Sequence, residues 1–315
     1  MTAKSHRTSM HKRQFALYKG ANRAYWAMCT IPLLFIILFN YIPMFGIVIA
    51  FKNYKFNKGI FGSEWIGFEN FRLFIKSNDF FRITRNTLVL NFMFIILGII
   101  AAVALALALF EITSRAKTKL YQTVLITPNF ISWVIVAYMV YAVLEPRHGL
   151  ANQLLGTFGI DAIEWYSEPD KWPAILAICY LWKSVGMDSI IYYATLMAID
   201  TSYFEAAQID GANRWQTTTR ITLPCLATII MINVILKIGG IFRADFGLFY
   251  QVTRDVGTLY PTTDVIDTYI FRVMREMGNM SLSAAVGVMQ SVVGFAVVMI
   301  TNWVTRRINP ENALF

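Results

Sequence analysis

The chain has 315 residues, of which 57% are apolar and 15% charged, and its mean hydropathy is +0.51. This composition is too apolar and too poor in charge for an ordinary soluble fold, so it predicts a polytopic membrane protein of one domain. The net charge of +9 is attributed to basic residues that face an anionic leaflet, which argues against nucleic-acid binding.

Six apolar stretches reach the roughly 20 helical residues that cross about 30 Å of hydrocarbon. They are Tyr25 to Ala50, Thr87 to Phe110, Leu120 to Leu144, Pro173 to Ile199, Pro224 to Ile241 and Ser281 to Val304. The third is the weakest, because polar residues interrupt its first half and Pro128 predicts a kink there. No segment alternates like a barrel strand, so we predict an all-α bundle of six transmembrane helices.

The spans divide the chain into an N-terminal segment 1–24, a membrane domain 25–304 and a C-terminal tail 305–315. An even number of spans puts both termini on one side, and the basic residues before the first span place that side in the cytosol. These residues are Lys4, Arg7, Lys12, Arg13, Lys19 and Arg23. The total number of lysine and arginine residues is the same on both predicted sides. The predicted orientation therefore depends on this segment and on the smaller number of acidic residues in the inner loops.

An aromatic-rich outer segment from Phe51 to Phe81 follows the first span. Its residues Phe68, Phe71 and Phe74 have helical spacing, which favours anchoring at the membrane interface or packing on the bundle. Cys29, Cys179 and Cys225 are far apart and have no ligand spacing, so neither a disulfide framework nor a metal site is expected.

Ionisable and amide side chains within the apolar stretches mark candidate solute contacts, because buried charges in lipid are costly. We expect Lys183, Asn233, Lys237 and Gln290 to line a hydrated path. Four aromatic residues would offer ring faces to a sugar, namely Tyr180, Trp182, Tyr192 and Tyr193. The alternative is interhelical hydrogen bonding and ordinary packing, with Asp188 paired locally.

The loop between the fourth and fifth stretches, residues 201–224, has strong helix signals. Ser202 and Glu205 have the spacing of a capping box, which predicts a helix from Tyr203. Gly211 suits a left-handed C-terminal cap, and Asn213 with Gln216 predicts a second short helix. Pro224 would then open the fifth span.

One face of the first loop helix carries Phe204, Ala207, Gln208 and Gly211. An aromatic residue among small residues allows close approach of another backbone, so this face is a candidate docking surface. The alternative is a helix that covers its own bundle. No phosphate-binding glycine loop, nucleophile elbow or paired-histidine motif occurs, so the chain has no candidate for ATP binding or hydrolytic chemistry.

The same loop carries a family signature. Glu205-Ala206-Ala207, then Gly211 after three residues, then Ile221-Thr-Leu223-Pro224 after nine more, resembles the motif of permease subunits of binding-protein-dependent ABC importers. Trp65-Ile-Gly67 and Asn86-Thr87 look like the maltose-permease-like sugar branch. Tyr41-Ile-Pro43 and Asp264-Val-Ile-Asp267 resemble permeases for oligosaccharides and polysaccharides, including alginate.

The resemblance implies a non-catalytic subunit of a prokaryotic cell membrane, which forms the translocation path for a glycan. It implies four kinds of partner: a second, homologous permease, two ATPase subunits that bind ATP and magnesium, an extracellular solute-binding protein and the carbohydrate itself. Its coupling residues would be Glu205, Ala206, Ala207, Asp210, Gly211, Ala212, Leu223 and Pro224.

Three alternatives stay open. The chain could import another small solute by the same mechanism. It could be a secondary transporter, which ordinarily has inverted repeats and broken helices, or an intramembrane enzyme, which needs clustered catalytic groups at one depth. The sequence does not identify the sugar, its charge or its length.

Overall fold

The computed structural model describes residues 25–308, and this part of the chain is built almost entirely from helices. By length and composition, five helices can cross a membrane, and a bent helix pair brings the number to six when it is counted as one span. The predicted all-α membrane fold is therefore confirmed. The N-terminal segment 1–24 and residues 309–315 of the predicted tail lie outside the described residues, and residues 305–308 continue the last helix.

The elements alternate long spans with short connecting helices. In chain order they are α1 (Tyr25–Phe51), β1 (Lys52–Asn53), α2 (Gly59–Gly62), β2 (Glu64–Trp65), α3 (Glu69–Lys76), α4 (Asn78–Phe110), α5 (Arg115–Ile126), α6 (Trp133–Leu144), α7 (Leu150–Thr157), α8 (Trp172–Met197), α9 (Thr201–Ile209), α10 (Arg214–Gly239), α11 (Gly247–Val252), α12 (Tyr260–Thr263), α13 (Ile266–Arg275) and α14 (Met280–Ile308). The two strands pair antiparallel over two residues each.

The second span, α4, begins at Asn78, nine residues before the predicted start at Thr87. The reason is Ser77, whose hydroxyl accepts a hydrogen bond from the Phe80 amide and caps the helix. α4 packs along α8, and a Cβ added to Gly98 would lie 3.3 Å from the Tyr180 ring. This glycine lets α4 and α8 approach closely.

The third span is broken rather than kinked. α5 continues through a 3₁₀ turn, Thr127–Phe130, and the chain then turns by 94° into α6. Pro128 lies in that turn, where its missing amide hydrogen costs nothing. Ile131 and Ser132 are extended, and the Ser132 hydroxyl caps α6 by accepting from the Ile135 amide.

The regular α-helix of the fifth span begins at Leu223 with Pro224 in its first turn, as predicted. The helix does not start there, however, because a π-helical turn, Thr218–Thr222, directly precedes Leu223 and its wider backbone joins the short helix from Arg214 to the span, so α10 is continuous from Arg214.

The segment 240–279, expected as an external loop, returns into the bundle. Amide side chains from two spans hold its start: Asn91 of α4 donates to the carbonyls of Ile241 and Arg243, and Gln290 of α14 donates to the Phe242 carbonyl. Each donor lies more than two turns inside its span. The segment therefore re-enters the apolar layer from the end of the bundle opposite α9. That end is here called the outer end, and the end that carries α9 is called the inner end.

Three buried clusters form the core. The first joins α4, α6, α8 and α11 around Phe94, Leu176 and Phe249. The second joins α3, α4, α13 and α14, and it contains Phe74 of the predicted aromatic set. The third joins α4, α8 and α10 near the inner end and contains Tyr192. In contrast to Phe74, Phe68 is exposed and contacts the Phe51 ring.

Candidate functional site

α9 is an independently capped helix at the inner end of the bundle. Its N-terminal cap is Asp200, whose carboxylate accepts from the Ser202 amide at 2.9 Å. The predicted Ser202–Glu205 capping box is therefore wrong, because the extended residue that can act as cap lies two positions earlier. The hydrogen bonds from Ser202 stabilise the carboxylate and lower the pKa of Asp200.

The end of α9 is fixed by Gly211, whose φ is +71°. The Ala212 amide donates to the Ala207 carbonyl at 2.9 Å, and the Gly211 amide donates to the Gln208 carbonyl at 3.1 Å. This pair of bonds is the Schellman pattern, and it needs a left-handed residue where the sequence places the glycine.

The second loop helix starts as the sequence predicts. Asn213 and Gln216 form a reciprocal capping box, with both hydrogen bonds at 2.9 Å. Beside it, Arg214 makes a 2.7 Å ion pair with Glu111, which follows α4. This contact places the loop after the second span and the loop after the fourth span at the same end of the bundle.

The predicted docking face of α9 is only partly available. The Phe204 ring packs 5.7 Å from the Phe110 ring, and Ala207 is 8% exposed, so these two residues lie against the bundle. For Phe204 the arrangement is the alternative one, in which the helix covers its own bundle, because the aromatic face of α9 lies on the end of α4. Tyr203 and Ile209, on other faces, are 60% and 87% exposed.

A groove of about 770 Å³ runs between α9 and the start of α10. It is lined by Ser202, Tyr203, Ala206, Ala207, Asp210, Gly211, Ala212, Gln216, Thr217, Arg220 and Ile221. Five of the predicted coupling residues line it, while Glu205 is exposed beside it. Leu223 packs on the third core cluster and Pro224 is exposed, so neither belongs to the groove.

Lys183 is held at the break in the third span. Its ammonium group donates to the carbonyl oxygens of Pro128, Asn129 and Ile131, and it lies 5.2 Å from the centre of the Trp133 ring. The Pro128 carbonyl also accepts from the Ile131 amide at 3.2 Å, whereas the Asn129 and Ile131 carbonyls lie where the helix ends and its regular hydrogen bonds stop. The ammonium group thus donates hydrogen bonds to backbone acceptors for which lipid offers no donor.

Lys237 forms an ion pair with Asp188 across α10 and α8, with an Nζ–Oδ2 distance of 2.8 Å. The local pairing of Asp188, kept open from the sequence, is the arrangement observed. Asn233 donates to the Ile229 carbonyl of its own helix. Gln290 bridges the Phe242 carbonyl and the Asp267 carboxylate at 2.6 and 3.1 Å.

The four predicted aromatic residues have different surroundings. Tyr180 stacks on Phe94 at 4.8 Å, and Tyr192 is 1% exposed within the third core cluster, where it has no ring face open to a solute. Tyr193 is half-buried against the same cluster, and Trp182 is 43% exposed. The structure therefore does not gather the eight predicted path residues into one surface.

An ionic cluster at the outer end was missed from the sequence. Arg272 binds both carboxylate oxygens of Asp264 at 2.7 Å and reaches Asp255 at 3.1 Å, and Arg82 of α4 reaches Asp264 at 3.0 Å. Asp264 lies in the extended link before α13 and Arg272 lies within α13, and the opposite charges eight residues apart were the available signal. Within residues 25–308, no group of His, Cys, Asp or Glu could hold a metal ion.

Comparisons with known proteins give a consistent result. A family model described as "Binding-protein-dependent transport system inner membrane component" matches residues 94–310. Protein LplB of Bacillus subtilis (strain 168) is 33% identical, covering 89% of this chain and 87% of its own length. The polygalacturonan/rhamnogalacturonan transport system permease protein YteP of the same organism is also 33% identical, covering 95% and 93%.

Solved structures agree with these relatives. A chain from the crystal structure of a bacterial ABC transporter involved in the import of the acidic polysaccharide alginate is 34% identical. It superposes with a TM-score of 0.83, covering 93% of this chain and 99% of that chain. The bacterial alginate ABC transporter in complex with its alginate pentasaccharide-bound periplasmic protein matches with a TM-score of 0.82, 34% identity and coverage of 93% and 98%.

Proposed function

The chain belongs to the family of binding-protein-dependent transport system inner membrane components, and from that premise we propose that it forms one half of the glycan path of an ATP-driven importer. As a member of this family it is a membrane subunit of a transporter and not an enzyme. The observation that carries the proposal is α9, a helix fixed by its own caps beneath the bundle, with a large groove beside it.

The substrate we propose is an oligosaccharide derived from a polysaccharide. Support comes from the relatives: one is named for polygalacturonan and rhamnogalacturonan transport, and the alginate importer resembles this chain over nearly its whole length. A binding protein would deliver the glycan at the outer end. The alginate transporter supports this step, because it forms a crystalline complex with a periplasmic protein that holds an alginate pentasaccharide.

The partners we propose are a second homologous permease, two ATPase subunits that hold ATP and magnesium, and the binding protein. The N-terminal segment and the C-terminal tail would lie in the cytosol with α9. The Arg214–Glu111 ion pair supports a single inner face, because it joins two loops that an even-span topology puts on one side.

In the proposed mechanism α9 docks on an ATPase subunit through its exposed side. Tyr203 and Ile209 supply exposed apolar area, and Ala206 and Gly211 leave room for a close backbone approach. Closure of the ATPase pair on ATP would move the α9 helices of both permeases. Because Phe204 packs on Phe110 at the end of α4, and α4 shares the third core cluster with α10, that movement would pass into both spans.

The test is uptake of labelled oligosaccharide into proteoliposomes that hold this chain, its partner permease, the ATPase subunits and the binding protein. We expect uptake only with ATP and with all subunits. Uptake by the two permeases alone, driven by an ion gradient, would point to the secondary transporter. ATP-driven uptake of a different small solute, with oligosaccharides excluded, would retain the importer and reject the glycan.

A Gly211→Val variant sharpens the same test. The left-handed conformation of residue 211 is costly for a β-branched residue, while no atom lies within 4 Å of an added Cβ, so within this chain the change acts on the cap. We expect loss of uptake with normal membrane insertion. Gly211→Asn is the control, since asparagine tolerates this conformation and should retain most of the uptake.

A further inference from the structure

A small aromatic pocket lies at the outer end, between α6 and the re-entrant segment. Its volume is about 190 Å³, and its lining is Val134, Ala137, Tyr138, Tyr141, Tyr250, Gln251 and Arg254. We call it the tyrosine pocket. Pockets that enclose whole small ligands usually measure roughly 300–1,000 Å³, so this one has room for a single ring of a longer chain.

Arg254 is the only charged residue of the lining. Its guanidinium lies 4.1 Å from the centre of the Tyr141 ring. Within the described residues it has no carboxylate at ion-pair distance, whereas Arg82, Arg214 and Arg272 all do. A guanidinium stacked on an aromatic face keeps its edge free for two parallel hydrogen bonds, which is the geometry that binds a carboxylate.

The backbone that presents Arg254 is strained and held in place. Arg254 and Asp255 have φ of 56° and 48°, a left-handed conformation unusual for two successive residues that are not glycine. Asp255 is fixed by Arg272 at 3.1 Å, and its carbonyl accepts from the Tyr260 hydroxyl at 3.2 Å. Strain that the surroundings maintain in this way is typical of functional sites.

Behind Tyr141 lies a second tyrosine, Tyr166, whose hydroxyl group is buried. The Tyr166 ring contacts Tyr141 edge-on at 5.8 Å and Trp172 at 4.9 Å. Its hydroxyl is buried and makes no hydrogen bond within the described part of the chain. Burial raises the pKa of Tyr166 to about 12, so the hydroxyl stays protonated and can donate. A buried unpaired hydroxyl is rare and calls for a partner.

We propose that the tyrosine pocket binds one uronic-acid residue of the transported glycan. Arg254 binds the carboxylate of this residue, and Gln251 and the hydroxyls of the lining tyrosines form hydrogen bonds with the hydroxyl groups of the sugar ring. The exposed ring of Tyr138 contacts the apolar face of the sugar. The inference rests on the proposed function, and it adds a charge preference and a location for the acidic ring.

The experiment compares two probes, trigalacturonate and its carboxyl-reduced, neutral form, in proteoliposomes of the complete transporter. We expect Arg254→Gln to lower uptake of trigalacturonate by about tenfold or more, the effect of one charge-assisted pair, and to change uptake of the neutral probe less than about threefold. Arg254→Lys should retain part of the preference. Arg147→Gln, an exposed outer arginine outside the pocket, is the control and should change neither.

Equal losses on both probes, or no loss with Arg254→Gln, would overturn the pocket while ATP-driven uptake by the wild type still supports the proposed function. Absence of ATP-driven uptake of either probe by the wild type would overturn both. Vesicles of phosphatidylcholine alone exclude an anionic lipid headgroup as the occupant. A preference that appears only in anionic lipid would contradict the sugar assignment.

Tyr141→Phe and Tyr141→Ala separate the ring from its hydroxyl. The phenylalanine retains the surface on which Arg254 stacks, so we expect the preference for trigalacturonate to persist within about threefold. The alanine frees the guanidinium and should weaken the preference by about the same factor as Arg254→Gln. A phenylalanine variant as defective as the alanine would contradict the stacking role.

Discussion

Lys183 stabilises the backbone at the break in the third span. It donates to three carbonyl oxygens at this break, of which, within residues 25–308, only the Pro128 carbonyl also accepts from a backbone amide, that of Ile131. In a hydrocarbon layer such carbonyls are costly to leave unpaired. The sequence predicted a functional charge at this depth, but it did not predict the three backbone acceptors, because they depend on the break between α5 and α6.

Lys183→Met should therefore lower the free energy of unfolding by about 3 kcal/mol, because it leaves backbone acceptors unsatisfied. Lys183→Arg should retain most of the stability. The measurement is thermal unfolding in detergent, combined with uptake of the acidic and neutral trisaccharides. Both probes should lose uptake equally, and selective loss of the acidic one would show that Lys183 contacts the substrate.

Gly186 is a second residue whose identity the packing requires. A Cβ placed there would lie 1.9 Å from the Leu125 carbonyl oxygen, so α5 and α8 touch backbone to backbone. Backbone cannot move aside as a flexible side chain does.

Gly186→Ala should cost about 2–3 kcal/mol of stability or displace α5 together with the turn that follows it, where the carbonyls bound by Lys183 lie. Gly294→Ala in α14 is the matched control, since no atom lies within 4 Å of the added methyl. It should be neutral or stabilising by up to about 1 kcal/mol, because alanine favours a helix. Equal effects of the two variants in thermal unfolding would refute the close contact.

At the scale of elements, the short-range signals of α9 and its neighbour were readable from the sequence and the long-range ones were not. The left-handed Gly211 and the Asn213–Gln216 box are decided by residues within four positions of each other. The N-cap was misplaced because Ser202 and Asp200 both have capping side chains, and only the backbone conformation decides between them.

The sequence could not predict which face of α9 points outward, and the reason is a different one. Its orientation is set by the contact of Phe204 with Phe110, residues nearly a hundred positions apart. In the same way, the break in the third span is stabilised by Lys183 and by the hydrogen bond from Trp133 to Asp245. The composition was enough to predict the approximate positions of the spans. Contacts between the spans, which the composition does not show, fix the break in the third span.

The Asp200 cap predicts a pH dependence confined to α9. Its pKa is lower in the folded helix than its usual value, because Ser202 stabilises the carboxylate. The cap therefore stabilises α9 at pH values above the usual aspartate pKa, and this contribution is lost as the pH falls through the folded-state pKa. Hydrogen exchange of the amides of Thr201–Ile209, corrected for intrinsic rates, measures it.

Asp200→Asn should retain the protection of these amides and make it independent of pH in the acidic range, because asparagine caps without titrating. Asp200→Ala should lose protection already at neutral pH. If all three proteins lost protection at the same acidic pH, the titrating group would lie elsewhere.

At the scale of the whole molecule, the two ends of the bundle carry different structural features. The inner end carries a rigid, capped helix with a groove, and the outer end carries a re-entrant segment pinned by the Asp264–Arg272 cluster. The long spans α4, α8 and α10 connect them through shared core clusters. A movement applied at α9 thus has packed helices through which it can reach the tyrosine pocket.

The most direct test of this account is photo-crosslinking from two neighbouring positions of α9 in the complete transporter. p-Benzoylphenylalanine replaces Tyr203, which is exposed, or Phe204, which packs on the bundle. We expect the probe at Tyr203 to crosslink to the ATPase subunit and the probe at Phe204 to crosslink within its own chain. Crosslinks to the ATPase from Phe204 alone, or from neither position, would contradict the docking of α9 through its exposed side.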